Sequence, residues 1–279
     1  MTKTTDKDND KNGDKNKDKK TGPMPFSKSL SSDELFAYSQ LNELHQLLSL
    51  TIDQKAMMIV TGEAGVGKST AVGATTDQLP TNKYLVSYLG QDQEGSSIWR
   101  RLASSLGLRP SFSRAHTRLS ISQYLNDNLL EKNKDFVLVV DEAHLLDLPT
   151  LEDIRLLSNT DFDRTSALTI ILVGQLSLRG RVKTAGFEAI NQRLRYRYAL
   201  EGFTEEETAA YIKHRLRLSG WDQEFFAPEA VRRIFLASQG IPREINNYCL
   251  SALLKAQNQG LNRVDAKLIK QVLDQRELN

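Results

Sequence analysis

The chain of 279 residues contains one cysteine, Cys249. A single thiol cannot close an internal disulfide, and that usage suits a reducing compartment. Free cysteine is among the most often buried residue types, so Cys249 reads as a helix-core filler. Also missing is any run near the ~18 apolar residues that cross a bilayer. No apolar h-region stands near the N-terminus, so no secretory signal is readable. A soluble cytoplasmic protein with no membrane partner is the expectation. Charge of one sign does not dominate either. With 37 Lys and Arg against 35 Asp and Glu, the formal net charge is +2, and nothing global demands an acidic partner. The chain has no internal repeats. What it does have, 39% hydrophobic and 26% charged residues, describes a globular protein.

Apolar residues are scarce in 1–23, a Lys, Asp and Asn tract. Such a segment buries too little surface to offset its ordering entropy, so it reads as a disordered, solvating tail. Its lysines offer at most a weak nucleic-acid contact. From Ser31 a helix is expected, because Ser31 and Glu34 form a capping-box pattern and Leu41, Leu44 and Leu48 follow at helical spacing. Short apolar runs come next, at 56–61, 84–89, 136–140 and 168–174, alternating with helix-like segments. Continuous apolarity suits a parallel sheet covered on both faces. "RYRYAL" is a weaker fifth strand. After Phe203 the strands stop. A Thr204/Glu207 capping box, Pro228 in a first turn and Gly240 at a helix end mark a small all-helical region. The reading is an α/β nucleotide-binding domain over 24–202 and a helical lid over 203–279.

"GEAGVGKST" (62–70) fits G-x-x-x-x-G-K-[ST] and follows an apolar strand. Gly62, Gly65 and Gly67 permit a loop that turns backbone N–H groups onto phosphate oxygens. Glu63, Ala64, Val66 and Thr70 complete the cradle, and the following helix presents its positive end. Lys68 is placed to reach the β and γ phosphates of ATP, and Ser69 to offer a hydroxyl to Mg2+. "FVLVVDEAH" (136–144) ends a strand on two carboxylates. Asp141 would hold the metal's water shell, and Glu142 would polarise the attacking water. His144 reads as a local hydrogen-bonding residue. Gln175, at the tip of the next strand, could hold the same water or sense the γ phosphate.

In this order the motifs resemble the AAA+ ATPases, over about residues 24–279. The resemblance implies a five-stranded parallel sheet sandwiched by helices, with a small helical lid. It implies that Arg243, in "GIPRE", contacts the nucleotide of its own subunit. It implies that Arg193, just before the fifth strand, reaches the nucleotide of an adjacent one. A homo-oligomeric ring or helical filament follows. "PFSKSLSSDELF", "ILVGQLSLRGRV" and "INQRLRYRYALEGFTEEETAAYI" resemble the ExeA-type and TnsC-type branch. Many soluble members of that branch accompany transposases, and there they bind DNA with ATP, polymerise and present target sites to the transposase. The implied partners are sequence-nonspecific DNA, a transposase and a target-selection adaptor. Secretion-associated ExeA proteins carry in addition a membrane helix and a cell-wall-binding domain. Neither is readable here, which favours the transposition reading. An ATPase driving secretion or envelope assembly without DNA is the alternative.

Between Gly95 and Asn126 stand Arg100, Arg101, Arg109, Arg114, Arg118 and His116, without one Asp or Glu. Several arginines on phosphates would give a salt-dependent, sequence-tolerant grip. "SFSRAHTR" reads as an exposed loop, so Arg114, His116 and Arg118 are the preferred contacts, with Arg100, Arg101 and the Thr117 hydroxyl beside them. The competing reading is a solvated basic face, or arginines paired with the acidic 141–163 segment. Trp99 reads as a core anchor. Arg195 and Arg197 stay open: they would flank the Arg193 site, pair across a subunit interface or sit at an exposed sheet edge.

Overall fold

The four apolar runs and the weaker fifth strand pair into one parallel sheet. The computed structural model describes residues 25–26, 30–90, 97–157 and 168–277. The expected tail, and residues 158–163 of the acidic segment, lie outside them. The strands are β1 (Met57–Gly62), β2 (Tyr84–Leu89), β3 (Asp135–Val140), β4 (Leu168–Gly174) and β5 (Leu194–Leu200). Their order is β2-β3-β4-β1-β5, every pairing parallel. β1 and β4 are buried along their whole length, and the edge strands β2 and β5 only in part. Continuous apolar runs thus mark the covered centre, and mixed ones the rims.

Period-2 alternation divides the core between two faces. Met57, Ile59, Leu138 and Ile170 meet Trp99, Ile121 and Ile154 on one side. Those three stand on α3 (Ile98–Ser105), α4 (Arg114–Lys132) and α5 (Leu148–Leu157). Met58, Val60, Val137 and Ile171 meet Leu44, Leu48 and Val72 on the other, from α1 (Ser39–Asp53) and α2 (Lys68–Thr76). Trp99 is the expected core anchor, 1% exposed. Two short helices, α6 (Leu176–Arg181) and α7 (Glu188–Arg193), lead from β4 into β5.

The helix expected from Ser31 forms, with Leu41, Leu44 and Leu48 buried on it, but it starts later than expected. The Ser31 N–H does donate to Glu34 Oε2 at 2.9 Å, but only a 3-10 turn forms, Ser32–Glu34. The chain then runs extended to Tyr38, and α1 starts at Ser39. Tertiary packing overrides the local signal. Phe36 sets its ring edge-on to Phe203 and Tyr211, and Tyr38 sets its ring edge-on to Phe203. A helix through this strap would pull those rings out of register with the C-terminal helices.

Those helices are α8 (Glu205–Leu218), α9 (Pro228–Ser238), α10 (Pro242–Asn258) and α11 (Ala266–Glu277). Thr204 and Glu207 exchange both capping bonds, at 3.0 and 3.1 Å. Pro228 opens α9, and Cys249 lies fully buried among Ile212, Ile234 and Ile269. Gly240 turns the chain from α9 into α10 at φ +72, with its Cα against the Phe203 backbone and no room for a side chain. That turn aims the start of α10 at the loop after β1.

Candidate nucleotide site

Because β4 lies between β3 and β1, three strand tips stand side by side. Val140 is level with Leu172, and Gly174 with Thr61. The loop after Gly62, the Asp141–Glu142 pair and Gln175 therefore leave the same edge of the sheet, where open parallel sheets hold ligands.

The loop takes its shape from Gly65 and Gly67, at φ +83 and +100. Gly62 acts differently from the expectation: its φ is ordinary, and what demands glycine is close approach to the Leu200 backbone. Lys68 opens α2 and is 8% exposed. Its Nζ donates to the carbonyls of Gly62 (3.0 Å) and Glu63 (2.8 Å). Burial lowers the Lys68 pKa, and the negative charges of Glu142, Asp141 and Glu63 oppose that shift. Ser69 and Thr70 are exposed in the first turn of α2. Two glycines at positive φ, a helix N-terminus and a buried ammonium stand together here, the parts an anion cradle needs.

Asp141 Oδ1 accepts the Glu142 N–H at 2.8 Å. Glu142 itself sits in the left-handed region at φ +52, an uncommon and costly setting for a side-chain-bearing residue. Its Oε2 lies 3.4 Å from His144 Nδ1, and the His144 side chain is 10% exposed. Gln175 is exposed at the β4 tip.

One cavity of about 720 Å³ joins the loop, Glu142 and Gln175, within the usual size of small-molecule sites. Residues Ala64 to Ala71, Glu142 and Gln175 line its floor. Arg243, Asn246, Tyr211 and Arg215 line it from the C-terminal helices, and Leu35, Phe36 and Tyr38 from the strap. The Arg243 N–H donates to Gly65 O at 3.3 Å, and a Cβ on Gly65 would lie 2.7 Å from Arg243 Cβ. The loop residues suit a polyphosphate, and the aromatic side chains of the strap line another part of the cavity. Asp141 and Arg193 do not line this cavity; Arg193 closes α7, at the corner before β5.

The strap aromatics and the Tyr211–Asn246 pair escaped the sequence reading. Tyr211 donates to Asn246 Oδ1 at 2.9 Å across 35 residues of chain, a separation at which no local pattern operates. The cue for the strap was available in "DELFAY", whose two aromatic rings a capping box cannot explain.

The basic stretch needs correction. Arg114 and Arg118 both pair with Asp153, at 2.6 and 2.8 Å, so the competing reading holds for these two. Only the start of "SFSRAHTR" is loop: Ser113 caps α4, its Oγ accepting the His116 N–H at 3.4 Å, and Arg114 to Arg118 are helical. Thr117 is 2% exposed, and its hydroxyl bonds Ser111 O and Ser113 O, so it is no surface contact. Arg100, Arg109 and His116 are exposed and Arg101 half-buried. The Arg100 guanidinium lies 5.8 Å from the ring of Phe112, a fully exposed residue that sequence reasoning passed over. Arg195 and Arg197 are exposed on the edge strand β5. Arg197 bonds Asn191 O and Oδ1, both at 2.9 Å, bracing the end of α7.

This is the fold of the AAA+ P-loop ATPases. Residues 51–182 match the family described as "AAA domain". Over 244 residues the chain is 30% identical to General secretion pathway protein A of Aeromonas hydrophila. The alignment covers 86% of this chain and 44% of that protein, so the chain spans less than half its relative's length. Among solved structures, the Aeropyrum pernix ORC2 protein in ADPNP–ADP complexes has TM-score 0.68 at 16% identity, over 89% of this chain and 70% of that one. The Aeropyrum pernix ORC1 protein in complex with DNA has TM-score 0.63 at 13% identity, over 88% and 67%. At these identities the structures speak for the fold.

Proposed function

We propose that the chain is a Mg2+-dependent ATPase that assembles with copies of itself and uses ATP to build a larger complex. The observation that carries the catalytic part is the convergence of Lys68, Ser69, Glu142, Gln175 and Arg243 on one cavity. The loop N–H groups, the α2 terminus and Lys68 bind the phosphates. Ser69 and Asp141 would hold Mg2+, which would offset phosphate charge. Glu142 orients the attacking water, Gln175 stands beside it, and Arg243 holds the nucleotide from the lid. Arg193 serves the site of the neighbouring copy. What supports assembly of a secretion or envelope complex as the output is the identity to General secretion pathway protein A across most of this chain.

A second reading, ATP-dependent binding to double-stranded DNA in support of a transposase and its target-selection adaptor, is favoured by the α3–α4 tip. There Arg100 lies beside the exposed Phe112, Arg109 and His116 are exposed, and the sequence has no carboxylate between Ser97 and Asn126. The fold shared with a protein solved on DNA is compatible with it. Sedimentation and ATP turnover with duplex DNA separate the two outputs. On the first reading the purified protein hydrolyses ATP at a rate DNA leaves unchanged, and does not sediment with DNA. On the second, it sediments with DNA only when ATP is present, and salt releases it.

A further inference from the structure

We infer that His144 is a positioning residue for Glu142, setting its carboxylate according to which partner His144 Nδ1 takes. The ring stands between two strand tips. Nδ1 is 3.4 Å from Glu142 Oε2, beyond the end of β3, and 3.5 Å from the backbone N of Gln175, at the end of β4. A ring nitrogen is a donor or an acceptor, never both at once. With a proton, Nδ1 donates to Glu142. Without one, it accepts the Gln175 N–H, and its lone pair faces the carboxylate and drives it away. The Gln175 N–H bond to Nδ1 is long at 3.5 Å, Glu142 Oε2 stands at ion-pair distance rather than in a formed hydrogen bond, and the one nitrogen cannot serve both partners at once.

The rest of the residue is pinned. His144 O accepts from Arg181 Nη1 at 2.8 Å, which ties it to the end of α6. Gly174 leaves the space it fills, since a Cβ there would lie 3.2 Å from His144 N. The ring is largely buried, so water competes little for Nδ1. Glu142 is held at φ +52 beside it, so its carboxylate is reset by side-chain rotation toward or away from the ring. Gln175 lines the nucleotide cavity, and its N–H bears on the same nitrogen that faces Glu142. A displacement of the β4 tip by nucleotide would therefore reach the carboxylate through one ring.

The inference rests on the reading of Glu142 as the residue that orients water. Its test compares His144→Ala, His144→Asn and His144→Gln with Glu142→Gln in the full chain. The Asn amide falls where Nδ1 lies, and the Gln amide falls where Nε2 lies. His144→Ala should lower kcat roughly tenfold or more, the scale at which outer partners tune a reacting group. KM and the affinity for a non-hydrolysable ATP analogue should stay near wild type. His144→Asn should recover most of the rate and His144→Gln should not, a contrast that a packing role would not produce. Wild-type kcat in His144→Ala, or equal losses in the Asn and Gln variants, overturns the inference while leaving Glu142 in its role. Wild-type turnover in Glu142→Gln removes the reading beneath it, and the inference with it.

Discussion

Lys68 and Glu142 show how much of a residue's chemistry depends on where the backbone puts it. Both stood out in the sequence, because the phosphate-loop pattern and the paired carboxylates carry their spacing in the chain. The positive φ of Glu142 and the His144 ring beside it did not, since they arise where separate strands end together. The same division holds for the arginines. An acid-free stretch was legible, yet the carboxylate that neutralises Arg114 and Arg118 comes from Asp153, on another helix. His45 of α1 gives a prediction at this scale. Burial lowers its pKa from the usual 6.5, a backbone contact with Ala71 opposes that shift, and among the described residues no hydrogen-bond partner satisfies its buried Nε2. Below pH 6.5 the unfolded chain takes up this proton before the folded one does. The His45 contribution to stability is therefore present above pH 6.5 and lost as pH falls through the folded-state pKa. Thermal melting from pH 7.5 down to about 5 should show the midpoint falling, and His45→Leu should flatten that fall. An unchanged slope in the variant would assign the acid limb to other groups.

At the scale of elements, the sheet was legible and the strap was not. Each central strand is an unbroken apolar run because helices cover both faces, so its pattern needs no partner to be read. The Leu35–Tyr38 strap depends on aromatic rings of the lid that lie far along the chain. Helix α10 depends in the same way on the turn before it. Gly240 packs against Phe203, the turn aims Arg243 at Gly65, and so the lid meets the phosphate loop. Gly240→Ala combines a left-handed φ with a backbone clash, and should cost more than about 1 kcal/mol of stability. Nucleotide affinity should fall in proportion as α10 shifts. Denaturant melts and analogue binding, measured on the same preparation, check both effects, and a neutral substitution would deny the turn its role.

Across the whole molecule, one pocket is assembled from strand tips, strap and lid, while Arg193 stands outside it. Arg195 and Arg197 are exposed on the edge strand next to it, where a second copy of the chain could meet them. The sequence showed these arginines at alternate positions, but an alternating pattern cannot say whether a rim faces water or a neighbour. If Arg193 serves the adjacent site, Arg193→Ala and Glu142→Gln should each be slow alone. Their mixture should regain turnover, because a Glu142→Gln subunit still supplies Arg193 to a neighbour that keeps Glu142. A mixture no faster than its components would remove the role in trans. Binding and turnover of ATP by Glu142→Gln test the central claim most directly. The account predicts affinity within about threefold of wild type, and turnover lowered by about a hundredfold or more, as for loss of a group acting on the reacting water. Turnover at the wild-type rate, with binding intact, would contradict it.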